Sequence, residues 1–334
     1  MQSLFVPIVY TTLQLITMMA AGFIAKRLRL LPAEFFSSIS TFLVRLALPV
    51  YLFTKILESD PSVLTSSWIF PLAAVLVSGA GILLAAPIFA LLPFEGKERR
   101  AGIAMSAFGN SAYLPLAMIE LFPLTLPMVA ERFGTSAPAL YVGSFVLIFS
   151  PLLWSLGNYL ITAQRGFSLR HLINPPLVGI ILGFVGVATG ASEPLLNEQL
   201  LVHHLYAGLR QIGLTTLPLI LFSLGGMIAD IELHPDNRPA MMRMALGVAM
   251  VRFLLLPLLF WGAFFLFLRD IPMITDTHMW VLFLETHLPP ATNLSVMVNR
   301  AGINRSYTAF TLLITYLGYV LIFPFFMMLF LTLY

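Results

Sequence analysis

The sequence predicts an all-α polytopic membrane protein of ten transmembrane helices, arranged as two inverted five-helix repeats with the fourth and ninth helices broken. Three observations predict it. Of 334 residues, 59% are hydrophobic and 10% charged, with no Cys and a mean hydropathy of +0.93, against about 45–50% apolar and about 25% charged in a soluble domain. The positive charges crowd alternate loops. The second half of the chain repeats landmarks of the first in the same order.

A helix needs about 20 residues to cross the roughly 30 Å hydrocarbon core. Apolar windows bounded by charges, Pro and Gly fall at 5–25, 34–57, 67–92, 98–121, 138–163, 174–190, 204–229, 239–268, 277–299 and 306–333. Ten such spans leave only short loops and little chain for a soluble domain. The first window lacks a basic leader and ends at Lys26, Arg27 and Arg29, so it reads as a span rather than a cleaved signal peptide. Loops after the odd spans hold Lys26, Arg27, Arg29, Lys97, Arg99, Arg100, Arg165, Arg170, Arg238, Arg243, Arg300 and Arg305. The other face has Lys55, Arg132 and Arg269, while Arg45, Arg210 and Arg252 fall inside spans. The positive-inside rule then expects a multi-pass protein of the cell membrane, odd loops in the cytoplasm and both termini outside. This asymmetry explains a pI near 9.3; no nucleic-acid partner is implied.

Sliding the chain by 169 residues lays Ala47-Leu48-Pro49-Val50-Tyr51-Leu52-Phe53 over Thr216-Leu217-Pro218-Leu219-Ile220-Leu221-Phe222, and Pro7 over Pro176. An offset of 179 lays Gly109-Asn110-Ser111-Ala112 over Leu288-Pro289-Pro290-Ala291, and Met118 over Met297. Five spans per half is odd, so the halves, 1–165 and 166–334, insert with opposite orientation. In secondary transporters of this plan the binding site lies at the midplane between interrupted helices of matching position.

Spans four and nine are that pair. Span four carries Asn110, Ser111, Tyr113 and Pro115 at mid-depth; span nine carries Glu285, His287, Pro289, Pro290, Thr292 and Asn293. Pro lacks an N–H and clashes with the carbonyl four residues back, so the double proline unwinds the helix. Such backbone is tolerated there only when protein or a wet cavity satisfies it. Half-helix N-termini offer N–H groups and a positive dipole end to an anion that the polar side chains orient, and the exposed carbonyls and the amides of Asn110 and Asn293 suit a cation or a substrate's polar groups. Plain kinks, with Asn and Thr joining helices, are the alternative.

Intramembrane charge costs at least about 2.5–3.5 kcal/mol. Glu285 and His287 flank the double proline and are candidates for proton or ion coupling; otherwise Glu285 lies near the surface or pairs with Arg252 or Arg45. Arg45 and Arg252 read as structural ion pairs or snorkelling side chains. Glu120 and Asp230 sit near span ends, where solvation is the default, and His171, His203, His204 and His234 in or beside loops. Gly179 and Gly183 form a close-packing GxxxG, and Trp68, Trp154, Trp261 and Trp280 suit interfacial belts. No P-loop, HExxH or GxSxG is present; neither an enzyme nor a cofactor is expected.

The run from Gly22-Phe23-Ile24-Ala25-Lys26-Arg27 to Leu46 through Phe53 resembles the opening of the auxin efflux carrier (PIN-like) family. Gly109-Asn110 to Leu114-Pro115-Leu116, Asn174-Pro175-Pro176, Pro218 to Leu224-Gly225, Arg252-Phe253 to Pro257, and Leu288 to Leu294 resemble its later motifs in order. The resemblance implies spans four and nine crossing at their prolines, a scaffold of spans 1, 2, 6 and 7, and a transport domain of spans 3–5 and 8–10. It also implies a homodimer, elevator-type alternating access and an organic-anion substrate. The halves join through about ten residues, Gln164 to Ile173, without the long central loop of the larger plant carriers. Asn110 and Pro115 are also five apart, wider than in those carriers. Both differences favour a small bacterial-type carrier of carboxylates such as malate or malonate over an auxin-like aromatic acid. A bile-acid-symporter-like sodium carrier, or a non-transporting sensor on the same fold, is the runner-up.

Overall fold

A computed structural model describes residues 2–163, 174–229, 238–303 and 305–334. The expected junction of the halves, with Arg165, Arg170 and His171, lies outside these, as do Asp230 and His234. All regular structure among the described residues is helical. In chain order the helices are α1 Gln2–Arg27, α2 Ala33–Phe42, α3 Leu48–Leu57, α4 Ile69–Leu91, α5 Gly96–Ala107, α6 Tyr113–Thr125, α7 Pro127–Phe133, α8 Ala137–Leu152 and α9 Asn158–Thr162. They continue as α10 Pro175–Ala188, α11 Ser192–Leu196, α12 Leu201–Leu214, α13 Thr216–Ala229, α14 Arg238–Met250, α15 Leu256–Leu266, α16 Asp276–Thr286, α17 Leu294–Arg300 and α18 Arg305–Leu333.

Among the described residues, seven stretches are long and apolar enough to cross a membrane: Leu4–Arg27, Glu34–Leu57, Pro61–Leu91, Ala137–Thr162, Leu201–Ala229, Arg238–Asp270 and Ser306–Leu333. These fall on expected spans one, two, three, five, seven, eight and ten. Counting α6 and α7, bent by 118° at their junction, as one span gives eight. The sixth expected window holds only the 14-residue α10. The fourth is divided between α5 and α6, and the ninth between α16 and α17. Spans two and eight stay continuous through π-helical turns, Leu43–Ala47 and Val251–Leu255. Each turn ends just before a proline, Pro49 or Pro257, whose missing N–H frees a carbonyl that a widened turn absorbs.

Small residues set the closest packing. A Cβ on Gly22 of α1 would lie 1.8 Å from the Phe222 carbonyl oxygen of α13, and one on Gly225 of α13 1.8 Å from that of Met19. On α10, a Cβ on Gly179 would lie 2.2 Å from the Pro49 carbonyl oxygen of α3, and one on Gly183 2.8 Å from Ile56 Cβ and 3.3 Å from the Phe53 carbonyl oxygen. The GxxxG is therefore a backbone contact, as small-residue motifs are between membrane helices. Phe53 and Phe222, superposed by the 169-residue offset, each turn a carbonyl toward a glycine of the partner helix. Trp280 is buried in an aromatic cluster with Phe122, Phe133 and Phe330, and Trp261 is also buried; these two do not sit in an interfacial belt.

Polar ties gather the loops onto two faces. Lys97 Nζ donates to the Ala301 carbonyl at 2.8 Å and Arg100 Nε to that of Leu160 at 2.9 Å. Elsewhere Arg132 Nε donates to Asp276 Oδ2 at 2.8 Å, and the Tyr334 hydroxyl to Asp276 Oδ1 at 2.7 Å. Partial burial alone would raise the Asp276 carboxyl, but these hydrogen bonds outweigh it and hold it below its ordinary value. A depressed carboxylate stabilises the fold fully above its unfolded pKa of about 3.9 and loses that contribution as pH falls through its folded value. The Asp276 side chain is 46% exposed, which limits the contribution to under about 1 kcal/mol. Asp276→Asn is thus expected to melt slightly below wild type from neutral pH down to about 5, the gap closing below about pH 4; thermal melts across pH measure it.

Candidate functional site

Both interruptions meet. α5 ends at Ala107 and Phe108 turns extended, with φ −105° and ψ 107°. Gly109 pairs antiparallel with Pro290, the Asn110 N–H donates to the Pro289 carbonyl at 2.9 Å, and the Ala291 N–H donates to that of Phe108 at 2.9 Å. The double proline explains this pattern: neither ring nitrogen can donate, so its carbonyls accept and the first available N–H lies at Ala291. Buried backbone is satisfied by a two-rung ladder in place of helical hydrogen bonds.

α18 completes the arrangement through Tyr316, whose hydroxyl accepts from Asn110 Nδ2 at 2.7 Å and donates to the Pro290 carbonyl at 3.1 Å. One phenol thus holds both interrupted segments. The second amide N–H and the carbonyl oxygen of Asn110 make no hydrogen bond to another described residue.

Two cavities adjoin the ladder. The first, about 400 Å³, is walled by Leu48, Leu52, Phe149 and Trp154 and given polarity by Asn110, Ser111, Thr292, Asn293 and Asn174. The second, about 420 Å³, takes in Lys26, Ser37, Ser40 and Ser223. Val44, Tyr113, Thr292 and Asn293 line both. Asn174 is held as the N-cap of α10, accepting from the Leu177 N–H at 3.0 Å and donating to Ser150 Oγ at 2.8 Å. Each volume suits a small organic molecule.

Of the sequence-predicted binding residues, Asn110, Ser111, Tyr113, Thr292 and Asn293 come together in the first cavity. Pro289 and Pro290 build the ladder behind it. Pro115 sits in the first turn of α6, where a missing N–H costs nothing, so the interruption lies at 108–112, ahead of it. Glu285 lines neither cavity and is 1% exposed, which removes the surface reading. Ser111 and Arg252 lie close enough to act on it, yet neither carboxylate oxygen makes a hydrogen bond of standard geometry with a described residue. His287 points into a cage of Phe260, Phe283 and Phe326, its Nδ1–H donating to the Phe283 carbonyl at 2.7 Å.

Three features escaped the sequence reading. Tyr316 carries no local signal. Arg252 is fully buried and, with no ion pair among the described residues, donates from Nε to the Leu288 carbonyl at 2.6 Å and from Nη1 to that of Ser106 at 3.4 Å. Glu120 is not simply solvated: Lys55 Nζ lies 2.9 Å from it and the Tyr51 hydroxyl donates to it at 2.8 Å. Lys55 also reaches Glu58 at 3.5 Å, and Glu58 accepts from Arg210 Nε at 2.7 Å and from Tyr206 at 3.0 Å. Lys or Arg three residues from a Glu on one span was the available clue, at Lys55 and Glu58.

Gly109 leaves Arg252 its room, since a Cβ there would lie 1.9 Å from Nη2. The guanidinium is enclosed and tied by two carbonyls, so it cannot swing aside. Gly109→Ala is expected to cost about 1–3 kcal/mol, as overpacking does, lowering the melting temperature of the detergent-solubilised protein.

Comparison with known proteins gives two findings. A family model described as membrane transport protein matches residues 7–166 and again residues 159–327. Protein PIN-LIKES 7 of Arabidopsis thaliana is 29% identical over 156 residues, 45% of this chain and 38% of that protein. The aligned part thus spans well under half the length of that curated relative.

Proposed function

This chain belongs to the auxin efflux carrier family of membrane transport proteins, whose members are transporters and not enzymes, and from that premise we propose that it carries a small organic anion across the membrane. The substrate class is a carboxylate such as malate or malonate, or an auxin-like aromatic acid. The observation that carries the reading is the convergence of Asn110, Ser111, Tyr113, Thr292 and Asn293, from two interrupted helices, on one cavity. The N-terminus of the 13-residue α6 supplies unused N–H groups and a positive dipole end. The seven-residue α17 supplies little dipole, so Thr292 and Asn293 act as side-chain donors. Apolar walls hold the carbon skeleton, and Lys26 adds positive charge at the second cavity.

On this reading α5–α6 and α16–α17 are spans four and nine, broken and crossing, and with α10 they complete ten spans in two inverted repeats. The two successive family matches and the matched glycine contacts at Phe53 and Phe222 support that plan. The cavities reach Lys26 and Asn174, at odd-loop ends of their spans, while the Lys55–Glu120 network lies at the opposite end of span two. The conformation is therefore one open toward the cytoplasm, with both termini outside the cell membrane. A homodimer in which spans 3–5 and 8–10 move as an elevator against spans 1, 2, 6 and 7 completes the proposal. Buried and without a hydrogen-bond partner among the described residues, Glu285 is the group through which a proton would couple, with His287 behind it.

Uptake of labelled malate, malonate and indole-3-acetate into proteoliposomes, with sodium and proton gradients imposed separately, is the test. Saturable flux of at least one is expected. No flux of any carboxylate across a broad panel overturns the proposal and favours the sensor.

A further inference from the structure

Helices that stop inside the membrane leave two kinds of debt: unpaired N–H groups at the half-helices that start there, and unpaired carbonyls where the others end. Carriers with discontinuous helices use ions for both, an anionic substrate at the N-termini and an inorganic cation at the C-terminal ends and unwound carbonyls. In this chain the cavities lie at the starting ends. At the stopping ends, where a cation would be held by carbonyl oxygens, stands Arg252.

The geometry is specific. Ser106, in the last turn of α5, and Leu288, just beyond α16, both give their carbonyls to one guanidinium. Arg252 reaches them from a third element, the π turn Val251–Leu255. It is fully buried and lines neither cavity. Gly109 lies against Nη2, with no space for a methyl group. Glu285, on α16, is the one carboxylate among the described residues whose charge acts on it. A charge buried at membrane depth is costly and marks a functional position.

We infer that Arg252 is a tethered cation standing in the place of an exchangeable one, so that the anion cavity is assembled without sodium. It is a positioning residue: it holds the ends of α5 and α16 together, which fixes Asn110 and Thr292 on the far side of the ladder. The inference rests on the crossing-site reading above, but its test uses no organic substrate and so fails separately from it.

The chain has no Cys, so Thr292→Cys supplies a single thiol whose maleimide reaction rate reports cavity geometry. With Arg252 present the rate is expected to be the same in sodium chloride and choline chloride at equal ionic strength. Adding Arg252→Ala is expected to change it about tenfold, the effect of losing one buried charged hydrogen-bond group, and millimolar guanidinium is expected to restore it where choline does not. A sodium response with Arg252 present, an Arg252→Ala rate equal to the parent, or a changed rate that guanidinium fails to restore each overturns the inference. If Arg252→Ala does not fold, Arg252→Gln decides: its neutral amide leaves the two carbonyls without a cation, so sodium must alter the rate, and a rate indifferent to sodium overturns the proposal.

Discussion

Replacing Asn293 by Ala is expected to cut carboxylate flux about tenfold or more while leaving the melting temperature nearly unchanged, and the Asn110→Ala, Asn293→Ala double variant is expected to lose flux about a hundredfold. A hydrogen bond to a charged group is worth about 1.5–3 kcal/mol, and each 1.4 kcal/mol is about tenfold in affinity. The two residues differ in what else they do. Asn293 is half-buried and lines both cavities, so its loss should fall on binding. Asn110 also donates to Tyr316, so Asn110→Ala leaves a buried phenol short of a partner and should lower the melting temperature as well. Tyr316→Phe separates these contributions, because it removes the tether and leaves the Asn110 amide. Flux of labelled malate, malonate and indole-3-acetate, beside thermal melts, reads both effects. Unchanged flux in the double variant would remove the cavity from the transport path.

Much of this site was legible because unwinding a helix in lipid requires unusual residues. Pro289-Pro290, and the polar run from Asn110 to Tyr113, stand out from apolar windows, and the structure brings the prolines and Asn110 into one ladder with Ser111 and Tyr113 on the cavity beside it. The seven long stretches were legible for the same reason, since a run of some 20 apolar residues has few other uses. What escaped were partners supplied from far along the chain. Tyr316 lies 206 residues from Asn110, and nothing around it differs from other aromatic positions of a membrane helix. Arg252 could be marked as a costly charge, but a guanidinium's taste for carboxylates pointed to Glu285, whereas its hydrogen bonds go to backbone carbonyls exposed by the interruptions. Glu120 lies near a span end, and only the folding of α3 beside α6 turns that exposed position into an ion pair. Composition and periodicity report what a residue faces; they do not report which distant group faces it back.

Glu120→Gln is expected to open the cavity toward the even-loop face. Glu120 sits on α6, the helix that begins at the cavity, whereas Lys55 and Tyr51 sit on α3; these contacts tie a span of the proposed mobile domain to a span of the proposed scaffold. Side-chain exposure of 11% for Lys55 and 21% for Glu120 makes the pair far less screened than a surface one. Breaking it by removing one partner should therefore cost more than the roughly 0–1 kcal/mol of an exposed pair. A bias of about 1.4–2.8 kcal/mol changes a two-state population about ten- to a hundredfold. Glu58 supplies the internal control. It accepts from Arg210 and Tyr206 of α12, so those contacts join scaffold helices to each other, and Glu58→Gln should weaken the protein without releasing α6. With Ser111→Cys as the single thiol, a membrane-impermeant maleimide applied from the even-loop side should react about tenfold faster in Glu120→Gln than in the parent, and at the parent rate in Glu58→Gln. Lys55→Met should behave like Glu120→Gln, since it deletes the same tie from the other side and leaves the carboxylate only the Tyr51 hydroxyl. Equal labelling of Glu120→Gln and parent would mean that the ion pair follows the conformation and does not hold it.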